Sequence, residues 1–260
     1  MNKKSILVLA ILIIGSSLNA QPEAREIIKK SREVSKIQGM EVQSTLKIID
    51  SRGRERVRKT SMASRTFDNG RTEKRIIRFL SPAEVEGTGM LIFDNEDKSD
   101  DMWIYMPALR KTRRIVSSEK SRSFMGSEFS NADMSAPTLE DYKYTLMGSE
   151  QRSGKDCWKI EQEPANDDVS DETGLSKEIL WISKAEYVTM KSEYYDQDGE
   201  LWKIRTSSDI KEITPGKYMA AYMKMENVQN GRTSEFTLDK ILYNPEVKEE
   251  YFTVAFLERN

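Results

Sequence analysis

The residues that could carry out chemistry are few. The chain has no histidine and a single cysteine, Cys157. Without histidine there is no Ser-His-Asp or Cys-His nucleophile system and no imidazole ligand for zinc. One cysteine makes neither a thiolate cluster nor an internal disulfide. Carboxylates, lysines, tyrosines and serines remain. Pairs such as Glu140 and Asp141 are frequent, but no spacing brings two of them together as a glycosidase requires. Gly87-Thr88-Gly89 is not a phosphate loop, because the helix and the Gly-Lys-Ser/Thr continuation are missing. No catalytic residue, metal site or cofactor is expected, and the chain reads as a non-enzyme.

Two segments could instead bind something. Arg110-Lys111-Thr112-Arg113-Arg114 places four cations in five residues. In a strand Lys111 and Arg113 share one face, and Arg110 and Arg114 the other. Such a run suits a phosphate, an acidic head group or a carboxylate-bearing partner. Local neutralisation by Asp94, Glu96, Asp97, Asp100 and Asp101 is the competing reading. The second segment is Ser123 to Phe129, where Phe124, Met125 and Phe129 sit among glycine and serine. Aromatic and thioether side chains on a movable segment suit a greasy ligand, and a loop packed down on the core is the alternative.

The elements that must hold these residues are mostly strands. Pro22 to Ile37 has the spacing of an amphipathic helix, with Gly39 ending it. From Val42 the period changes to two. Strands are expected over 42–48, 54–67, 71–80, 85–93, 102–106 and 110–116, with Asn69-Gly70 closing a hairpin. Gly87 and Gly89 mark a bulge or a close backbone approach. Residues 117–137 have no clean period and form a lid-like excursion. Strands return over 142–147, 157–163, 176–182, 188–195, 201–207, 219–228 and 232–242. Residues 164–173 read as an acidic loop and 246–253 as a short terminal helical turn.

The chain's 260 residues, 32% charged with a mean hydropathy of −0.66, fit one large folded domain and not a multi-span membrane protein. Residues 1–20 read as a signal peptide: Lys3 and Lys4, an apolar run from Ile6 to Ile14, and a cut after Ala20. Export to the periplasm is therefore expected. Without the leader Lys+Arg falls from 41 to 39 against 43 Asp+Glu, a net charge of about −4, so no nucleic acid is expected as a partner. The organisation expected is a leader over 1–20, a helix within 21–39 packed on the sheet, and one β domain over 40–260. Cys157, beside Trp158 in an alternating run, is expected to be buried.

Three blocks resemble a known family. They are Arg78 to Leu91, Met102 to Ile115, and Ser123 to Phe129 with Asp133-Met134; Asp156-Cys157-Trp158 and Glu193 to Asp196 extend the match. Their order and spacing are similar to the LolA-like, outer-membrane lipoprotein-sorting family of exported bacterial proteins. The resemblance covers about residues 40 to 257. It implies a mainly β fold: one curved antiparallel sheet, a half-open barrel, with helices over its concave side. It also implies a carrier of lipid or acylated lipoprotein across the periplasm, with an RND-type exporter as a partner.

A concave sheet lined by Met, Leu, Ile and aromatic side chains can take acyl chains, each buried methylene contributing about 0.8 kcal/mol. The expected cavity residues are Leu46, Ile48, Met62, Phe79, Leu91, Phe93, Trp103 and Tyr105. Phe124, Met125 and Phe129 belong to the lid. Arg110, Arg113 and Arg114 are placed at a head group or partner. The competing reading is a non-catalytic interaction module, an exporter adaptor or a surface-exposed adhesin, with a filled core. An enzyme acting on envelope lipid or glycan would need convergent carboxylates in a cleft.

Overall fold

The computed structural model describes residues 23–259. The leader expected over 1–20 and its cut after Ala20 lie outside the described residues. Among these, no helix is long and apolar enough to cross a membrane.

The chain opens with helix α1 (Ala24–Ser35). Six strands follow: β1 (Gly39–Ile49), β2 (Glu55–Phe67), β3 (Thr72–Ser81), β4 (Gly89–Asn95), β5 (Asp101–Met106) and β6 (Lys111–Ile115). After the excursion come β7 (Tyr142–Arg152), β8 (Lys155–Pro164), helix α2 (Asp167–Thr173), β9 (Lys177–Ser183) and β10 (Thr189–Tyr195). The chain ends with β11 (Leu201–Thr214), β12 (Lys217–Asn227), β13 (Arg232–Tyr243) and helix α3 (Val254–Leu257).

All thirteen strands form one antiparallel sheet in the order β6-β5-β4-β3-β2-β1-β13-β12-β11-β10-β9-β8-β7. Two meanders are therefore sewn together by a single non-local pair, β1 with β13. At the start of that seam Gly39 is required, because a Cβ there would stand 2.3 Å from the Asn244 carbonyl oxygen. The sheet does not close on itself. Its free edges are β6 and β7, and the chain between them, residues 116–141, crosses from one edge to the other.

Some expected elements move. The strand expected over 85–93 starts only at Gly89, because Pro82 to Thr88 folds into turns, with Val85 N–H donating to the Pro82 carbonyl at 3.0 Å. The acidic loop expected over 164–173 contains α2. The Asn166 side chain caps it by accepting from Val169 N–H at 3.1 Å, Asp167 and Asp168 sit in its first turn, and Gly174 ends it at φ 75°. Strands β11 and β12 run on to a turn at Pro215-Gly216, longer than their hydrophobic alternation suggests.

Directly paired residues share a sheet face, so the registers divide the strands into two sides. The inner face carries Leu46, Ile48, Ile77, Phe79, Met90, Ile92, Met102 and Met225. Helix α1 covers its β7 end, with Ile27 and Ile28 against Trp158, Ile160, Leu180 and Ile182. The outer face of β3–β5 is covered by the C-terminal stretch, where Val247, Phe252 and Leu257 pack on Ile76, Leu91 and Tyr105. Gly89 leaves room there: a Cβ would stand 2.6 Å from Leu257 Cδ1. Cys157 is fully buried on the outer face with Ile179, Trp181 and Met190.

Candidate functional site

The segment over 117–137 lies on the inner face. Its tip is a tight turn: Phe124 N–H donates to the Phe129 carbonyl at 2.7 Å, with Met125 at φ 51° and Gly126 at φ 78°. The turn drives two aromatic side chains into the sheet. Phe124 meets Phe79 at 5.8 Å between ring centres, and Phe129 meets Phe236 at 6.2 Å. Both are buried as deeply as the sheet's own core. A pocket of about 200 Å³ remains between the segment and β3–β6, lined by Phe79, Met90, Ile104, Arg113, Glu119 and Phe124 among others. That is smaller than the roughly 300 Å³ at which ordinary ligand pockets begin.

The eight expected cavity residues divide between the two faces. Leu46, Ile48, Met62 and Phe79 lie on the inner face under the crossing segment. Leu91, Phe93, Trp103 and Tyr105 lie on the outer face, in the cluster closed by the C-terminal stretch, with Phe93 and Trp103 stacked edge to face at 5.1 Å. The inner positions of the same two strands belong to Met90, Ile92, Met102 and Ile104. Periodicity misses this because Gly89 to Ile92 are buried in succession. Phe124 and Phe129 of the expected lid do pack together on the inner face, and Met125 packs at its border.

Arginines fasten the segment by its main chain. Arg58 on β2 donates to the Met125 carbonyl and Arg75 on β3 to the Met134 carbonyl. Arg75 also pairs with Glu73 at 2.9 Å. Next to it Ala136 N–H donates to Asp94 at 2.8 Å, and Asp100 accepts from Asn95 N–H at 2.9 Å. Burial, with Asp100 nearby, pushes the Asp94 carboxyl up to about 6. Burial also raises Asp100. The outer stretch is held the same way: Arg65 donates to Val247 and Arg78 to Phe256, both at main-chain carbonyls.

Farther along the inner face, Glu128 enters a polar cradle built by β11, β12 and β13. Its carboxylate accepts from Asn227 Nδ2 at 2.9 Å and lies 2.9 Å from Arg232 Nε. Its main-chain carbonyl accepts from Lys203 Nζ at 2.8 Å, and its N–H donates to Ser234 at 2.9 Å. Burial lowers the Lys203 ammonium. Beyond it lies a second buried polar group, Gln162, Glu178, Ser192 and Arg205, in which burial raises Glu178. Glu128 falls within the Ser123 to Phe129 stretch singled out from the sequence, but only its apolar neighbours signal a role there; Lys203, Asn227 and Arg232 look like ordinary polar positions of alternating strands.

Two of the four cations of the basic run are neutralised, and Arg110 and Lys111 have no carboxylate within 4.0 Å among the described residues. Arg113 pairs with Glu119 at 2.6 Å, and Arg114 with Asp101. Arg113 borders the pocket, whereas Arg110 stands in a left-handed turn at φ 45° before β6. The three arginines are thus not gathered at one point. Among the described residues no cluster of carboxylate or thiol ligands could hold a metal ion.

A model of a family described as "Uncharacterized protein" matches residues 71–259. No curated protein matches the chain. A crystal structure described as an outer membrane lipoprotein-sorting protein domain from Vibrio parahaemolyticus is 28% identical, with a TM-score of 0.84 over 91% of this chain and 98% of that one. A DUF1329 family protein from Desulfovibrio piger is also 28% identical, with a TM-score of 0.83 over 90% and 97%. A LolA superfamily protein from Nitrosomonas europaea shares the fold at 20% identity, with a TM-score of 0.69 over 91% and 100%.

Proposed function

The chain belongs to the family whose model matches residues 71–259, with the fold of LolA-like, outer-membrane lipoprotein-sorting proteins, and from that premise we propose that it is a non-catalytic periplasmic carrier. It takes lipid, or the acyl chains of a lipoprotein, onto the inner face of the open sheet and moves them between envelope membranes. The leader expected over 1–20 exports it, and an RND-type inner-membrane exporter is the proposed partner.

One observation carries the reading. The segment joining the two free edges lays Phe124 and Phe129 on the inner face and leaves a pocket of only about 200 Å³. Aromatic side chains delivered by a connection, and not by the sheet, occupy the space acyl chains would fill. Acyl chains displacing them keep the inner face dry, at about 0.8 kcal/mol per methylene buried. The segment's anchors are hydrogen bonds from Arg58 and Arg75 to its main chain, which can be exchanged for water without unfolding the sheet. Loading then shifts a population from a closed to an open segment.

The test is to purify the protein from a bacterial periplasm without detergent and identify extracted ligand by native and denaturing mass spectrometry. Stoichiometric phospholipid or acylated protein, diminished when Leu46 or Phe79 is replaced by a charged side chain in a variant that still folds, supports the carrier. A ligand-free protein that also ignores added lipid overturns it. The filled inner face favours a second reading, an exporter adaptor or adhesin with a permanent core. That reading requires saturable protein binding lost on substitution of Arg110, Arg113 and Arg114, with no lipid uptake.

A further inference from the structure

We propose that Glu128 stands in for the anionic head group of the cargo, and that Lys203, Asn227 and Arg232 form the site that recognises it. The inference rests on the carrier reading and adds the chemical class of the ligand: a lipid whose carboxylate or phosphate is joined to its acyl chains.

Three features of the cradle support it. The sheet supplies the donors and the crossing segment supplies the acceptor. Lys203 comes from β11, Asn227 from the end of β12 and Arg232 from the start of β13, while Glu128 comes from the segment. Arg232 also donates to the Gly126 carbonyl at 2.9 Å, so its ion pair and this hydrogen bond both run to the segment's tip. Among the described residues Arg232 has no carboxylate but Glu128 within 4.0 Å, and Lys203 has none, its bond running to the Glu128 main-chain carbonyl. Lifting the segment therefore leaves Arg232 without its counter-ion and Lys203 without its acceptor, two cations side by side on the inner face.

A buried cation left without a counter-ion is costly. Lys203 and Glu128 are only 7% and 5% exposed. Once acyl chains cover the uncovered surface again, the loaded carrier is favoured when something negative takes the place of Glu128. A bare anion in water would satisfy the charge but not the apolar surface uncovered beside it.

The segment itself has the layout of such a ligand. Glu128 is followed directly by Phe129, and Phe124 packs from the other side of the turn, so a carboxylate sits one residue from buried apolar groups. The ring of Trp202 lies 3.8 Å from Lys203 Nζ and packs against the same apolar cluster as Phe129. Charge recognition and chain burial thus adjoin, as they do in an anionic lipid.

The experiment measures uptake by the whole protein, as lipid per protein after separation from vesicles. The probes are phosphatidylcholine vesicles, the same vesicles containing phosphatidylglycerol, oleate, and inorganic phosphate alone. The anionic lipids are expected to load about tenfold better than phosphatidylcholine, the size of one charge-assisted hydrogen bond. Lys203→Met and Arg232→Met are expected to bring that ratio close to one, and Lys203→Arg to keep it. Glu128→Gln, which weakens the internal competitor, raises anionic uptake. Circular dichroism checks that each variant is folded. Equal loading of anionic and zwitterionic lipid, or a ratio unmoved in a folded Lys203→Met protein, overturns the head-group site while leaving the carrier intact. A melting temperature, followed by the same circular dichroism, that inorganic phosphate raises as much as oleate does overturns the lipid source. No uptake of any lipid overturns the carrier reading and this site with it.

Discussion

The guanidinium of Arg58, on β2, donates to the main-chain carbonyl of Met125 at the very tip of the segment that crosses the inner face. The bond joins the fifth strand in from the β6 edge to the tip of the segment. Burial lowers the Arg58 guanidinium from its ordinary value, and its Nε has no partner. Arg58→Leu removes the bond and spares the strand. Amide exchange over 122–134 is expected to quicken about tenfold, the size of a charged hydrogen bond, while exchange in β1 and β13 stays unchanged. Equal quickening throughout the sheet would mean that the segment is part of the global core.

The division of apolar residues between faces separates loading from stability. Phe124→Ala and Phe129→Ala empty inner-face volume supplied by the segment, and lipid uptake is expected to rise. Trp103→Ala and Phe93→Ala act under the C-terminal stretch, on the other face. They are expected to lower the melting temperature, Trp103 by the larger amount since its side chain removes more packed area, and by less than the about 3–5 kcal/mol of a fully buried aromatic because both are partly exposed, without changing lipid bound per folded protein. Uptake that follows Trp103 and not Phe124 would put the cargo on the outer face.

The strands were legible because their turns are local. Asn69 takes φ 58° with Gly70 behind it, and Asp196 to Gly199 and Asn230-Gly231 close hairpins where glycine permits them. The sides of β4 and β5 were not legible, since a sheet covered on both faces erases the polar half of the alternation. Leu91 and Met90 are equally buried and point opposite ways. Nor could local pattern join β1 to β13, a pairing of residues such as Leu46 and Phe236 that sets the order of the whole sheet. The cradle was hidden for the same reason. Lys203 and Asn227 find Glu128 across 75 and 99 residues of chain. The apolar tip was visible as Phe124, Met125 and Phe129, since aromatics in a long glycine- and serine-bearing connection have no strand period to explain them.

Cys157 reports on the sheet and not on the segment. Its thiol is fully buried on the outer face, and burial raises its pKa. Thiolate reactivity is correspondingly suppressed. A thiol reagent is expected to label the native protein at the rate of global unfolding, and Arg58→Leu to leave that rate unchanged. Fast labelling of the native protein, or acceleration by the Arg58 variant, would show that β8 opens along with the segment.

Asp94 makes the closure depend on pH. Its carboxyl stands at about 6 in the closed fold against an ordinary 3.8, because burial and the neighbouring Asp100 outweigh the Ala136 N–H and Arg75. The closed state therefore holds the proton more tightly than the unfolded chain. Its stabilising contribution is complete below about pH 4 and is lost as pH rises through about 6, a change of about 3 kcal/mol for two units. Glu73, Arg75, Asp94 and Asp100 face one another here, and Asp100 shifts the same way. Carboxylates lowered elsewhere, such as Glu186, give the opposite slope. The difference between the native protein and Asp94→Asn isolates the one group. Asparagine keeps an acceptor for Ala136 N–H without the buried charge. The variant is expected to match the native protein near pH 4 and to be more stable at pH 7, with slower exchange at Ala136. A stability difference that does not change between pH 4 and pH 7 would remove Asp94 from the account and leave the arginine bonds, the Glu128 cradle and the two aromatic contacts to hold the segment down.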